Sequence, residues 1–204
     1  MAETPALTSL EEDLLKELFN LGVGKAASSL SRMVKQEVLL SVPDIKFSNH
    51  HSLIEMLGNK QSIVSISQSI EGPFSAKSML LFPESGSMEV VRQMLGQQLS
   101  DEMIAELQEE ALSEIGNVVL NACIGAISKS LDKRFDVEIP SFTMALPEDL
   151  LEQNSVNGDT TILLIDINMT LKDSNIEGYL AFVFSPLSLG NLQLSLAELL
   201  KALK

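Results

Sequence analysis

The sequence predicts an α+β fold that is internally duplicated: a mostly antiparallel sheet covered by helices, with a pseudo-two-fold axis relating the halves. Three observations predict it. Landmark residues recur at a constant offset, each half opens with apolar residues at helical spacing, and each half continues into three strand-like runs separated by turn residues.

The repeat decides the architecture. Glu17-Leu18-Phe19-Asn20 returns as Glu114-Ile115-Gly116-Asn117, 97 residues on, and Val42-Pro43 returns as Ile139-Pro140 at the same offset. In both copies 22 residues separate the asparagine from the proline. Farther on, Leu80-Leu81-Phe82-Pro83 resembles Phe182-Val183-Phe184-Ser185-Pro186 with the register slipped by a few residues, as loops tolerate. The expectation is one domain over residues 1–204 made of two repeats, 1–100 and 101–204. Neither should be stable alone, since half a sheet leaves an apolar face open.

In the first repeat Leu10, Leu14, Leu18 and Leu21 follow helical spacing, and Ser9 followed by Glu11 and Glu12 reads as the helix start. Strands are expected over 38–47, 63–70 and 77–82, with Gly72-Pro73 as a hairpin turn, followed by a short helix over 87–95. The second repeat reads as a helix over 101–131, strands near 137–144, 161–171 and 177–185, and a final helix over 187–203. Asn157-Gly158-Asp159 signals the turn before the middle strand. The alternation Ile162, Leu164, Asp166, Asn168 is not clean, so at least one strand is expected to be buried on both faces.

Composition excludes several functions. Of the 204 residues 45% are hydrophobic, ample for a core, and 14 basic against 28 acidic residues give a net charge of −14. Such a surface repels a nucleic-acid duplex and an anionic membrane. The two uncharged stretches are a 14-residue run, 115–128, and a 20-residue run, 178–197, broken by Pro186 and Gly190; neither reads as a membrane span. The N-terminus lacks the pattern of a signal peptide, so a cytoplasmic location is expected. A single cysteine, Cys123, excludes an internal disulfide and a thiolate zinc cluster, and it sits in an apolar run as a core residue would. The pair His50-His51 has no third ligand in view, so no metal site is expected. There is no phosphate-cradling loop and no nucleophile elbow.

What stands out is the repeated polar pair. Glu17 and Asn20 lie one turn apart on a helix face that Asp13 extends; Glu114 and Asn117 repeat the pair, with Glu110 in place of Asp13. A carboxylate can hold a partner's cation, and an amide can donate to and accept from one water. Gly22 and Gly24 follow the first pair only, each costing ~1 kcal/mol relative to alanine inside a helix. Close helix packing and close approach of a partner's backbone to Asn20 account for them equally well.

The motif Asp13-x3-Glu17-x2-Asn20-x22-Pro43, with its second copy Glu110-x3-Glu114-x2-Asn117-x22-Pro140, resembles the signature of the CheC/CheX/FliY phosphatases of chemotaxis. Two candidate sites in one chain resemble the CheC layout, and Glu110 departs mildly from the usual Asp or Ser. The resemblance implies a CheC-like fold and an enzyme that hydrolyses the aspartyl phosphate of a CheY-type response regulator. It implies that Asn20 and Asn117 orient the attacking water and that Glu17 and Glu114 pair with a lysine of the partner; Asp13 and Glu110 of the motif, and Gly22 and Gly24 on the close-approach reading, are the expected partner-binding positions. It implies no cofactor on this chain, the Mg²⁺ being the regulator's own. A CheD-like protein is a further implied partner, and the chain is expected to be a monomer or weak dimer, the leucines of 192–203 serving as core face or interface. The alternative reading is a non-catalytic adaptor that binds the regulator or a CheD-like protein. Lys16, Lys25 and Arg32 rank the first site ahead on electrostatic grounds.

Overall fold

Each half of the chain lays down the same succession of elements. A computed structural model describes residues 7–42, 44–58, 61–96, 99–154, 160–171 and 174–203. The first half runs α1 (Ser9–Val34), β1 (Val38–Ser41), β2 (Ile45–Ser48), α2 (His50–Leu57), β3 (Ile63–Glu71), β4 (Ala76–Pro83) and α3 (Glu84–Leu95). The second repeats it as α4 (Asp101–Leu131), β5 (Asp136–Val137), β6 (Ser141–Ala145), α5 (Pro147–Gln153), β7 (Thr161–Leu171), β8 (Ser174–Phe184) and α6 (Pro186–Ala202). The eight strands form one antiparallel sheet, in agreement with the expected α+β class.

The halves exchange strands. β1 and β2 pair with β7 of the second half, whereas β5 and β6 pair with β3 of the first. The hairpins β3–β4 and β7–β8 meet at the centre, where β4 pairs with β8 and Leu80 lies opposite Leu180. Register locates the symmetry. Ile70 opposes Val137 as Met169 opposes Leu40, so equivalent residues of β3 and β7 are 99 apart. A fragment ending near residue 100 would keep the β3–β4 hairpin and lose every strand that flanks it.

Each strand-like run expected after the long helix proves to be two strands, β1 and β2 in the first half and β5 and β6 in the second, the latter pair interrupted at Pro140. Pro140 lacks the N–H a ladder needs; Pro43 and the turn Asn157-Gly158-Asp159 lie outside the described residues. Two short helices, α2 and α5, stand where none was expected. Eight and seven residues are too few for periodicity to declare a helix. Asn49 caps α2, its side chain accepting from the Ser52 N–H, and Pro147 opens α5. His50 and His51 begin this helix.

Among the described residues four helices cover one face of the sheet and two the other. α1, α3, α4 and α6 share a core with Val64, Ile66, Leu80, Phe82, Leu163, Ile165, Leu180 and Phe182, and Phe19 packs on Phe182 with ring centroids 5.1 Å apart. On the opposite face α2 and α5 supply Leu53, Leu57, Leu150 and Leu151 against Ile63, Met79, Leu81, Ile162 and Leu164. Residues 162–165 of β7 are consequently buried on both faces. Among the described residues α4 is the one helix long and apolar enough to cross a membrane by length and composition. Here its apolar side, including Ile104, Leu112, Ile115 and Cys123, faces the core.

The long helices are closed alike. Thr8, one residue before the expected start, forms a capping box with Glu11, and Ser100 caps α4. Both helices end in a left-handed residue, Lys35 at φ 54° and Asp132 at φ 51°. One turn earlier Ser31 Oγ accepts from the Val38 N–H, and Ser128 Oγ donates to the Lys133 carbonyl. Arg92 joins α3 to the first turn of α4 by donating to Glu89 and Asp101. The Gln93 amide is the main cause holding the Glu89 carboxyl below its ordinary range, with Ser174 and Arg92 adding to it against partial burial.

The glycines separate into packing and open positions. A Cβ on Gly22 would come within 2.6 Å of the Cys123 Cα on α4, and one on Gly116 within 2.3 Å of Ile66 Cγ2, whereas Gly24 has nothing within 4 Å. Gly22 is buried, which removes it from the expected partner-binding surface; its role is helix packing. Gly22→Ala and Gly116→Ala should each lower stability by about 1–3 kcal/mol, while Gly24→Ala should raise it by up to about 1 kcal/mol. Urea unfolding of the three variants checks the contrast in sign. Burial also pushes the Cys123 thiol up to about 12. A thiol-specific reagent at pH 8 should leave the native chain unlabelled and label it fully in denaturant. The raised thiol stabilises the fold below the ordinary thiol range, and that contribution is lost as pH rises toward the folded value.

Candidate functional site

The two motifs occupy equivalent places on the two long helices. On α1 Asp13, Glu17 and Asn20 are all exposed along one side, so the spacing places them as expected. On α4 Glu110 and Glu114 are exposed and Asn117 is half-buried. The difference in Asn117 comes from what stands beside it.

α4 and the β5–β6 segment enclose an open cleft of about 790 Å³. Glu110, Ser113, Glu114, Asn117 and Asn121 line it from the helix, and 137–140 from the strand side. The helical wall follows from periodicity, since residues 110, 113, 114, 117 and 121 are three or four apart and share a face. The opposite wall is set by the sheet, where Val137 pairs with Ile70 and the Glu138 N–H donates to the Ser69 carbonyl. Pro140 thus faces Asn117 across the cleft, which gives the 22-residue spacing its structural meaning.

Glu110, Glu114 and Glu138 supply carboxylates to this lining, and no lysine or arginine is among its residues. The arrangement suits a cationic group presented by something entering the cleft. Among the described residues no group of three or more His, Cys, Asp or Glu is placed to hold a metal. His51 lies 3.3 Å from Glu55 on the exposed side of α2.

Asn117 is also held by neighbours outside the repeated motif. Asn121 Nδ2 donates to Asn117 Oδ1 at 2.6 Å, and Gln68 Nε2 donates to Asn121 Oδ1 at 3.3 Å. Gln68 is 1% exposed, in the middle of β3, and its Oε1 has no partner. An orphaned buried acceptor costs about 1–3 kcal/mol. The spacing of Asn117 and Asn121, one helical turn, was the available signal; Gln68 comes from the other repeat and only the strand pairing reveals it.

The first site is built differently. Gly24 stands at the place of Asn121, Ser41 at that of Glu138, and Ile167 at that of Gln68, as the 97- and 99-residue offsets locate them. Asn20 makes no side-chain hydrogen bond with the described residues. Val42, equivalent to Ile139, is buried, whereas Ile139 is 92% exposed at the rim of the cleft. In the final helix Leu192 and Leu196 are core residues and Leu194 is exposed, as is Leu203 at its C-cap.

Comparison with known proteins points the same way as the motif. The model of the CheC-like family matches residues 10–47. The CheY-P phosphatase CheC of Bacillus subtilis is 23% identical over 155 residues, 71% of this chain and 73% of its own length. The crystal structure of FliY from Thermotoga maritima superposes with a TM-score of 0.75 at 16% identity, over 95% of this chain and 98% of the other. A chain of the CheX–CheY–BeF3–Mg+2 complex from Borrelia burgdorferi superposes with a TM-score of 0.51 at 19% identity, over 83% of this chain and 97% of the other. The fold is therefore that of the CheC-like proteins.

Proposed function

We propose that this chain, CheC-like in its family match and its fold, is a phosphatase that hydrolyses the aspartyl phosphate of a CheY-type response regulator. The observation that carries the reading is the Glu-x-x-Asn pair presented twice on exposed helix faces at equivalent places in a duplicated fold, once at the mouth of an acidic cleft. The Bacillus subtilis relative named for CheY-P and the CheX chain solved with CheY support the same choice of partner.

The chemistry asks little of the enzyme beyond placement. An acyl phosphate already carries a good leaving group, so water attacks phosphorus as the bond to the aspartate oxygen breaks, giving inorganic phosphate and a free carboxylate. Positioning and electrostatics carry such a transfer. Asn20 and Asn117 each offer an amide that binds the water by donor and acceptor without adding charge beside the phosphoryl oxygens. Glu17 and Glu114, one turn away, meet the regulator's lysine and fix the docked pose. The divalent cation belongs to the regulator, and this chain supplies no cofactor. The proposed assembly is a cytoplasmic domain of two repeats, 1–100 and 101–204, acting as a monomer or weak dimer.

A regulator receiver domain phosphorylated with acetyl phosphate should lose its phosphate faster when this chain is added at substoichiometric amounts. Asn20→Ala combined with Asn117→Ala should return the decay to the receiver's own rate, while binding to a BeF3-loaded receiver persists. Binding with unchanged decay in the unaltered chain would replace this reading with that of an adaptor. Glu17→Gln with Glu114→Gln should raise KM about tenfold and leave kcat within about twofold, as loss of a docking ion pair does.

A further inference from the structure

The two sites are unequal in how firmly they hold their asparagine. We propose that Asn121 is a positioning residue for Asn117, and that the second site in consequence turns over faster than the first. The proposal rests on the phosphatase reading and adds to it a residue and a ranking of the sites.

An exposed asparagine on a helix ordinarily samples several rotamers and both amide orientations. Asn117 does not have that freedom. Its Oδ1 accepts from Asn121 Nδ2 at 2.6 Å, a contact between residues four apart on α4. Asn121 is itself exposed and would be a poor anchor alone, but Gln68 Nε2 donates to its Oδ1 at 3.3 Å. The three amides therefore run in one direction, nitrogen to oxygen at each step, from the buried sheet to the cleft. One end of the chain starts from the sheet, because Gln68 lies within β3, where its main-chain carbonyl accepts from Ser78 Oγ across the β3–β4 ladder and its side chain is buried. At the other end both Nδ2 hydrogens of Asn117 and the second lone pair of its Oδ1 remain for a water and a phosphoryl oxygen.

Nothing in the packing requires Gln68. The equivalent position of the other repeat is Ile167, a buried core residue, so the same place in the fold accepts a purely apolar side chain. A glutamine whose Oε1 is left without a partner is retained at one site and absent at the other. It stands behind the asparagine that borders the cleft. At the first site Gly24 removes the intermediate amide altogether, and Asn20 must be ordered by the substrate complex at each encounter. Ordering a loose catalytic group at the moment of reaction lowers kcat rather than affinity. This ranking opposes the one drawn from the lysines of α1, because those charges act on encounter and the amide chain acts on the bound complex.

The test isolates each site. In an Asn20→Ala background only Asn117 reports, and there Asn121→Asp keeps the acceptor for Gln68 and the side-chain shape but cannot donate to Asn117 when ionised. That change, and separately Asn121→Ala and Gln68→Ile, should lower kcat about tenfold with KM unchanged within about twofold, measured on a receiver domain phosphorylated with acetyl phosphate in Mg²⁺. In an Asn117→Ala background the same changes should leave first-site turnover as it was, and that turnover should be the lower of the two. The ¹⁵N-detected side-chain amide signals of Asn117, recorded without any regulator, should shift or broaden in the Asn121→Asp variant. Unchanged kcat, an equal loss in both backgrounds, or unaltered Asn117 signals would overturn the proposal. Absence of turnover in the unaltered chain would instead remove the phosphatase reading, with the amide signals still deciding whether Asn121 fixes Asn117.

Discussion

The pairing of β4 with β8 about Leu80 and Leu180 is the constraint on which the rest of the molecule depends. It joins two hairpins into the centre of one sheet, and each hairpin's outer strand then accepts β1–β2 or β5–β6 from the opposite repeat. Because of that exchange α1 and α4 must lie side by side over the same face, close enough that Gly22 meets the backbone of Cys123. The same exchange gives each site a mixed parentage. The cleft at the second site takes its helix and its edge strands from one repeat and its supporting residue, Gln68, from the other.

How much of this could be read in the sequence follows from which interactions are local. The offset of 97 is exact through the motif because α1 and α4, their αL caps at Lys35 and Asp132, and the edge strands are copies joined by short connections. It grows to 99 at β3 and β7 and to 100 at β4 and β8, where Pro83 and Val183 take equivalent places opposite Ile63 and Ile162. The extra residues fall before and within the second hairpin, where chain length is cheap. Strand exchange itself left no local trace, since an alternating or apolar run does not state which hairpin it will join. The short helices α2 and α5 escaped for a similar reason: one or two buried leucines per turn read equally well as loop or strand.

Within the motif the sequence was informative about the polar residues and silent about the apolar ones between them. Phe19 and Gly116 hold equivalent positions and solve opposite packing problems. Phe19 fills space against Phe182, whereas at Gly116 the side chain of Ile66 already occupies the place of a Cβ. Duplication conserved the shape of the layer and let volume move between helix and sheet, as close-packed cores permit when the total is kept. The polar pair, by contrast, recurs unchanged, a carboxylate and an amide one turn apart on one helix face.

The same logic bears on why two sites with one motif should differ. A duplicated enzyme needs only one copy tuned for the chemical step, and the other can then drift or serve encounter. The charge distribution follows that division. The net charge of −14 opposes approach by any acidic regulator, and Lys16, Lys25 and Arg32 on α1 soften that field near the first site. The second site has Glu110, Glu114 and Glu138 at its walls, a stronger local field for a lysine already brought close, and an amide held from behind by Gln68. Long-range steering and short-range positioning act at different distances, so one surface need not satisfy both. In the proposed reading they fall to different copies of the same helix.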